Sequence, residues 1–220
     1  MITEIIINYE NNYTPLCEIG KKYDTDKSSI RTVGHSHPYT NFYYDLLKDK
    51  KDEKITICEV GIFKGESLNM WGEYFKNAKI VGFDNKYEYI DKFNEQNTNK
   101  NITTDFLDIQ YENSIKKSLE EHGPYDIIIE DTNHFFDDQI RFIKTAIYSL
   151  KKGGTLIIED IFVNTNHRTG KVHSKHEYEK HLNNDIFKNF KKVYLVTLNH
   201  INKRSPGWNN DRLLVFENKL

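Results

Sequence analysis

Five short apolar runs alternate with helix-like segments between residues 55 and 160, and this alternation constrains the fold more than any other feature of the chain. It indicates βαβ units, in which parallel strands form a sheet and helices cover both of its faces. Two more apolar runs follow near the end of the sequence. We therefore predict an α/β fold with a doubly wound, mostly parallel, seven-stranded sheet. The predicted strands span residues 55–60, 79–83, 102–106, 125–129, 155–158, 192–197 and 212–216.

Length and composition limit the class of protein. A chain of 220 residues suits one core, and we divide it into an N-terminal helical lid or extension over residues 1–50 and the α/β domain over residues 51–220. The net charge of −2 provides no basic field for nucleic acid or for an anionic membrane. No apolar run approaches the roughly 18 residues of a membrane span, no signal peptide is evident, and the two cysteines, Cys17 and Cys58, suit a reducing compartment. We expect a soluble, cytoplasmic protein.

The first candidate site is the turn after the first predicted strand. Gly61 allows the backbone to approach a ligand closely, and a helix N-terminus follows it. Asp84 ends the next strand, where an acid can bind ribose hydroxyls, and Asp108 follows the third strand, where it can reach an adenine amino group. These positions predict a nucleoside-binding cleft at the carboxyl ends of the strands. The alternative is that the glycine only tightens the turn and the acids stay hydrated.

The second candidate site consists of acids that follow two neighbouring strands. Asp131 comes after the fourth strand, and Glu159 and Asp160 come after the fifth. Adjacent strand ends lie about 5 Å apart, and carboxylates that close repel one another unless a cation neutralises them. Oxygen ligands without cysteine favour Mg²⁺ or Mn²⁺ over zinc. We therefore predict a metal bound by the three acids, with capping of the following helices as the alternative.

His134 lies three residues beyond Asp131, where the chain turns into a helix. A neutral imidazole there can take the proton from a metal-bound hydroxyl, and its ordinary pKa near 6.5 suits a general base. We predict His134 and Asp131 as catalytic residues; a helix cap or a solvated side chain is the alternative. The polar loop at residues 164–173 is interpreted either as a contact for a polyhydroxylated or phosphorylated acceptor or as a solvated excursion. The turn at residues 208–211 is predicted to border the site.

These motifs together resemble the metal-dependent sugar O-methyltransferases, whose best-known members act on macrolide sugars in the mycinamicin pathway. The resemblance covers most of the chain, and its most specific part is the Asp-x-x-His element combined with a later Glu-Asp pair. The shared positions are Tyr23, Thr25, Asp26, Lys27, His37, Tyr39, Glu59, Gly61, Ser67, Leu68, Met70, Trp71, Asp131, His134, Gly153, Gly154, Glu159 and Asp160.

The resemblance implies a class I methyltransferase, Rossmann-like fold, S-adenosylmethionine as cosubstrate, Mg²⁺ (or Mn²⁺) on the three acids named above, and the imidazole as base. The chain departs from the family's pattern at Asp24 and Glu66, where glycine is usual, and at Glu130, where aspartate is more common. None of these changes removes a predicted metal ligand or the base. The residues that we assign to cofactor binding are Thr25, Lys27, His37, Tyr39, Glu59, Gly61, Gly65, Ser67, Asp84, Asp108 and Glu130.

The expected activity is methyl transfer to a hydroxyl of a sugar or nucleotide-linked sugar, in surface-glycan or polysaccharide biosynthesis. The partner is then a small molecule, and homo-oligomer formation stays open. One alternative is a catechol-type O-methyltransferase, with a similar metal site and a flat aromatic pocket. Another is a non-catalytic protein that binds adenosylmethionine or a nucleotide. A nucleic-acid methyltransferase is disfavoured because the sequence has neither a basic stripe nor an Asn-Pro-Pro-Tyr-type motif.

Overall fold

Parallel strands that are apolar on both faces need helices above and below them, and this chain supplies both. The computed structural model describes residues 1–9, 12–163, 173–200 and 209–219. Within these residues one sheet has eight strands in the order β1-β7-β8-β6-β5-β2-β3-β4, and β8 alone runs antiparallel to its neighbours. The strands are β1 (Thr3–Tyr9), β2 (Thr56–Val60), β3 (Lys79–Asp84), β4 (Ile102–Phe106), β5 (Tyr125–Glu130), β6 (Leu150–Ile158), β7 (Phe190–His200) and β8 (Arg212–Asn218).

The helices pack against two apolar layers, one on each face of the sheet. Successive residues of the central strands enter opposite layers, because side chains alternate along a strand. Ile127 and Ile129 join the layer of α1 to α4, and Ile128 joins the layer of α5 to α8. Among the described residues, the chain forms no helix with the length and apolar character that crossing a membrane requires. The helices are α1 (Pro15–Lys22), α2 (Tyr39–Leu47), α3 (Glu66–Tyr74), α4 (Tyr87–Gln96), α5 (Glu112–His122), α6 (Phe136–Ala146), α7 (Lys175–His181) and α8 (Asn184–Phe187).

Strand β1 corrects the predicted count of seven strands to eight. It pairs in parallel with β7, from Thr3 opposite Tyr194 to Tyr9 opposite His200. Ile5 and Ile7 pack against one apolar layer, whereas Ile6, between them, is 68% exposed. The three consecutive isoleucines conceal this alternation in the sequence, so the prediction of a helical extension over residues 1–50 is wrong for β1. The rest of that extension does contain helices, α1 and α2.

The register of the central strands brings Asp131 and Glu159 to neighbouring positions at the carboxyl edge of the sheet. Val60 of β2 lies opposite Glu130 of β5, which in turn lies opposite Ile158 of β6. The next residues continue the ladder, because the Asp131 N–H donates to the Val60 carbonyl and the Glu159 N–H donates to the Glu130 carbonyl. The pairing of the strands thus brings acids that are far apart in the sequence to one edge of the sheet.

Candidate functional site

Asp131, His134 and Asp160 meet just beyond the carboxyl ends of β5 and β6. One potential ligand atom from each residue lies within 4.8 Å of the other two, and His134 Nε2 is 3.3 Å from Asp160 Oδ2. The backbone of His134 and of Asp160 is left-handed, with φ of 59° and 57°. Such backbone costs a non-glycine residue about 1–3 kcal/mol and is concentrated at functional sites. Two carboxylates and an imidazole are a donor set that a divalent ion accepts.

Glu159, the third predicted metal ligand, binds a buried ammonium group. Lys27 Nζ is 2.6 Å from Glu159 Oε2 and 3.4 Å from Glu59 Oε1, and it also donates to Asp131 Oδ2. The second oxygen of Glu159 accepts a hydrogen bond from the Tyr43 hydroxyl. One lysine from the N-terminal segment therefore contacts acids from three adjacent strands, β2, β5 and β6.

The charges of this cluster depend on the balance between burial and ion pairing. Burial opposes the charge on Lys27, but the acids around it raise its pKa well above the ordinary value. Burial also raises the pKa of Glu159, and the attraction of Lys27 does not outweigh it. For Asp131, burial acts in the same direction, yet Lys27 and His134 lower the pKa. Of the three acids that contact Lys27, Asp131 is the one whose pKa is lowered, which favours its carboxylate form, whereas burial raises the pKa of Glu59 and of Glu159.

His37 and Tyr39, which the sequence assigns to cofactor binding, lie beside Asp160. The Tyr39 hydroxyl donates to Asp160 Oδ1 at 2.6 Å. The rings of His37 and Tyr39 stack, with centroids 4.5 Å apart. His37 Nδ1 is 2.8 Å from Asp211 Oδ1, and its Nε2 is 3.5 Å from Asp160 Oδ1. Burial would lower the pKa of His37, but Asp160 and the hydrogen bond to Asp211 raise it to about 9. These contacts fix the Asp160 carboxylate.

A cleft of about 420 Å³ opens between the β2 turn and the ends of β3 and β4. Asp84 lines this cleft and accepts hydrogen bonds from the backbone N–H groups of Ile62, Phe63 and Lys86 at 3.0–3.2 Å. This carboxylate therefore holds the glycine turn in place while facing the cleft. The lining residues are Gly61, Phe63, Asp84, Asn85, Lys86, Tyr89, Leu107, Ile109, Gln110, Asp131, Thr132, Asn133 and Phe135.

A second cleft of about 300 Å³ lies on the other side of the same turn. It shares Gly61, Phe63, Asp131 and Thr132 with the first cleft, so the two meet beside Asp131. Besides Gly61, three residues predicted to bind the cofactor line this second cleft, namely Thr25, Lys27 and Ser67. The turn and the N-terminal segment thus form the two walls of one continuous groove.

The other predicted cofactor residues make structural contacts near the clefts. Glu59 is fully buried and accepts hydrogen bonds from Ser67 Oγ and Trp71 Nε1, each at 2.7 Å. Buried Glu130 accepts from the Thr132 N–H and hydroxyl, and burial raises its pKa to about 7.

Gly65 and Asp108 likewise hold the backbone beside the first cleft. Gly65 begins α3 with φ of 80°, where a Cβ would lie 2.1 Å from the Phe93 ring. Asp108 Oδ1 accepts from the Gln110 N–H at 2.9 Å, and it is Leu107, Ile109 and Gln110 that line the cleft.

Several residues of the site could not be singled out from the sequence. Tyr43 lies in α2, and its hydroxyl donates to Glu159 Oε1. Phe63 and Tyr89 form an edge-to-face pair at the cleft, with ring centroids 5.1 Å apart. The position of Phe63 between Gly61 and Gly65 was the available signal. Residues 164–172 of the predicted acceptor loop and residue 208, the start of the predicted turn, lie outside the described residues.

Among the glycines that the structure describes, Gly61 has the least room for a side chain. Its φ is 97°, and a Cβ would lie 1.9 Å from the Asp131 carbonyl oxygen. We expect Gly61→Ala to lower the free energy of unfolding by at least about 3 kcal/mol, because the clash adds to the backbone strain. Gly34→Ala is the matched control, since Gly34 also has positive φ, of 77°, but its nearest neighbour would be 3.8 Å away. Urea unfolding of both variants measures the difference, and equal destabilisation would contradict the expectation.

The sheet and the groove at its carboxyl edge define a class I methyltransferase-type, Rossmann-like α/β protein. Residues 51–215 match the model of a family described as a methyltransferase domain. The chain belongs to that family.

Curated relatives are similar over most of this chain. L-olivosyl-oleandolide 3-O-methyltransferase of Streptomyces antibioticus is 27% identical over 170 residues, which are 73% of this chain and 41% of that protein. An 8-demethyl-8-alpha-L-rhamnosyl tetracenomycin-C 2'-O-methyltransferase of Streptomyces olivaceus is 26% identical over 153 residues, 66% of this chain and 37% of that protein. The chain therefore spans about two fifths of the length of these relatives.

Solved structures share the fold. The MycE methyltransferase from the mycinamycin biosynthetic pathway, in complex with Mg, SAH and mycinamycin VI, superposes with a TM-score of 0.70 at 20% identity. The match covers 94% of this chain and 55% of MycE. Aeropyrum pernix fibrillarin with natively bound S-adenosyl-L-methionine has a TM-score of 0.56 at 16% identity, over 80% of this chain and 74% of its own.

Proposed function

We propose that this chain is an O-methyltransferase that uses S-adenosylmethionine and a divalent metal to methylate a sugar hydroxyl. The observation that carries the proposal is the meeting of Asp131, His134 and Asp160 at the groove that Gly61 and Asp84 line. Family membership supports methyl transfer. The names of the relatives denote O-methylation of olivosyl and rhamnosyl compounds, and the MycE structure holds Mg and SAH.

The two clefts suit the two halves of S-adenosylmethionine. In the proposal the first cleft holds the adenosine, with Asp84 at the ribose hydroxyls and Leu107 and Ile109 against the adenine. The second cleft holds the methionine part, between Gly61 and the segment that contains Thr25. Because the clefts meet beside Asp131, the sulfonium methyl comes next to the acids.

Asp131, Asp160 and His134 each have a role in the proposed reaction. Asp131 and Asp160 would hold the divalent ion, which when bound favours the alkoxide form of a sugar hydroxyl and fixes its orientation. His134, held near Asp160, accepts the hydroxyl proton. The acceptor oxygen forms a bond to the methyl carbon as the bond from carbon to sulfur breaks, which yields a methyl ether and S-adenosylhomocysteine. Holding both reactants in contact supplies much of the rate acceleration.

The finer parts of the proposal concern substrate and organisation. We propose that the part of residues 1–50 that follows β1 acts as a lid on the domain of residues 51–220, because Lys27, His37 and Tyr39 contact acids of the sheet edge. A nucleotide-linked sugar for a surface glycan is the acceptor that we predict. The relatives' names instead denote olivosyl-oleandolide and rhamnosyl tetracenomycin-C compounds, so glycosides of this kind form the second acceptor class to test.

A labelled methyl group tests the proposed function directly. The protein is incubated with methyl-labelled S-adenosylmethionine, Mg²⁺ and one acceptor from a panel of nucleotide sugars, natural-product glycosides and a catechol. We expect label in a sugar methyl ether and no transfer when Mg²⁺ is left out. Transfer to the catechol alone would favour the aromatic-diol alternative. Adenosylmethionine binding with no metal requirement and no product would support a non-catalytic binding protein.

A further inference from the structure

Arg212, the first residue of β8, lies next to the end of β6. Its carbonyl accepts a hydrogen bond from the Ile161 N–H at 3.0 Å, and Ile161 directly follows Asp160. Side chains alternate along a strand, and Leu214 and Phe216 of β8 belong to the apolar layer of α5 to α8. The guanidinium of Arg212 therefore lies on that face of the sheet, at the carboxyl edge of the parallel strands.

This guanidinium is buried and forms no ion pair with the described residues. Arg212 is 6% exposed, its Nη1 donates to the Phe162 carbonyl at 3.1 Å, and its Nε has no hydrogen-bond partner within the described part of the chain. Burial lowers the pKa of Arg212, and Tyr178 and Glu4 offset that effect in part. Arginine nevertheless keeps its proton in proteins, and a buried charge without a close partner is costly. The protein therefore retains this cation at the expense of stability.

His173 is a second buried group with polar atoms to spare. It is fully buried, and neither of its ring nitrogens has a hydrogen-bond partner among the residues described. Its ring centroid lies 5.6 Å from those of Phe136 and Phe162. Burial lowers the pKa of His173 to about 4, and His134 and Arg212 act in the same direction. The imidazole is therefore neutral at pH 7 and offers one donor and one acceptor.

His173 lies within electrostatic reach of both the proposed base and the guanidinium, since His134 and Arg212 both act on its pKa. Phe162 connects the pair further, because its ring packs against His173 and its carbonyl binds Arg212. Neither His173 nor Arg212 lines the two clefts proposed for S-adenosylmethionine. The two side chains are thus available to the acceptor rather than to the cosubstrate.

We propose that Arg212 and His173 form a subsite for a phosphate group of the acceptor. A guanidinium binds phosphate oxygens through parallel N–H donors, so a bound phosphate would supply both a counter-charge and a partner for Nε. The neutral imidazole donates one more hydrogen bond and accepts one from a sugar hydroxyl. The inference rests on the proposed function and names its substrate class, a sugar that carries a phosphate ester or a diphosphate.

Titration calorimetry of the full chain with S-adenosylhomocysteine tests the subsite without turnover. The probes are glucose 1-phosphate, uridine diphosphate glucose and, as the neutral match, glucose. We expect glucose to bind at least about tenfold more weakly than the tighter of the two phosphate compounds. Arg212→Met should weaken binding of that compound by about ten- to a hundredfold, the usual effect of losing hydrogen bonds to a charged group. Lys116→Met, which removes an exposed cation of α5, is the matched control.

The unfolding midpoint separates a role in binding from a role in the fold. Without phosphate, Arg212→Met should unfold at or above the wild-type temperature, because an apolar side chain replaces a buried charge that lacks an ion pair. Arg212→Lys keeps the charge without the parallel donors and should recover only part of the affinity. His173→Phe keeps the aromatic packing and removes both nitrogens, so we expect about two- to tenfold weaker binding.

Three results would overturn the inference. The first, which requires no variant to fold, is that wild-type protein binds glucose as tightly as both phosphate compounds. The second is wild-type phosphate affinity in Arg212→Met. The third is a lower unfolding midpoint of Arg212→Met without phosphate, which would assign the arginine to the fold.

The proposed function and the subsite can fail separately. Binding that depends on phosphate and on Arg212, without methyl transfer to any acceptor, would support the subsite and refute the proposed function. Methyl transfer to neutral glycosides, without binding of either phosphate compound, would refute the subsite and support the proposed function. Tighter binding of uridine diphosphate glucose than of glucose 1-phosphate would support the subsite and identify the diphosphate as its ligand.

Discussion

His134→Ala is expected to fold and to lose turnover by about a hundred- to ten-thousandfold, the usual contribution of a general base. The imidazole nitrogen lies 3.3 Å from Asp160 and within 4.8 Å of the nearest potential ligand atom of Asp131. A sugar hydroxyl oriented by an ion on these two carboxylates would therefore lie beside the imidazole. In His134→Ala the hydroxyl proton has no acceptor. Steady-state kinetics with labelled S-adenosylmethionine give the loss in kcat.

The left-handed backbone at residue 134 calls for a second variant. Its φ is 59°, which alanine tolerates less well than asparagine does. His134→Asn keeps this backbone and lacks a basic nitrogen, so it should match the alanine variant in kcat while unfolding closer to wild type. His176→Ala, at an exposed position of α7, is the control for loss of a histidine and should retain full turnover. Wild-type kcat in both position-134 variants would remove the base from the mechanism.

Removal of the metal or of one of its carboxylates is the second large expected effect. We expect EDTA to abolish turnover and added Mg²⁺ to restore it. Asp160→Asn should lower the Mg²⁺ affinity by more than about a hundredfold, since changes even beyond the directly bound ligands cost ten- to a hundredfold. Asparagine also suits the φ of 57° at this position, so the loss of charge is tested without added backbone strain. Calorimetric titration with Mg²⁺ measures the affinity.

The control for this second prediction is Asp185→Asn. Asp185 is 77% exposed and pairs with Lys188 on the surface, so its substitution should change neither Mg²⁺ affinity nor turnover. Turnover that persists in EDTA, or an Asp160→Asn variant with wild-type Mg²⁺ affinity, would contradict the metal-dependent mechanism. An Asp160→Asn variant that loses both Mg²⁺ affinity and turnover while its unfolding midpoint is unchanged would support the metal-dependent mechanism most directly.

The central part of the fold follows from local patterns. Apolar runs with acids at their ends specify β2 to β6, and the register of parallel strands then places Asp131 and Glu159 in neighbouring rungs. Strand β1 could not be predicted in the same way, because Ile5, Ile6 and Ile7 give no alternation of apolar and polar residues. Its pairing with β7 depends on a partner almost two hundred residues away.

The site was predictable as a location but not as a set of contacts. The sequence places acids at the strand ends, yet the choice of Lys27 as the partner of Glu159 requires two segments 132 residues apart to meet. No local rule predicts that Tyr43 binds Glu159 or that Asp211 binds His37, because only the folded chain creates these contacts.

The ammonium of Lys27 also bears on how this protein can be cut and recombined. The family match begins at residue 51, whereas the lysine that pairs with Glu59, Asp131 and Glu159 lies before it. A chimaera joined at the family boundary would inherit those three acids and lose their cation. A portion that is to be grafted onto another protein with both these acids and their cation must therefore start upstream of residue 27, well before residue 51, where the family match begins.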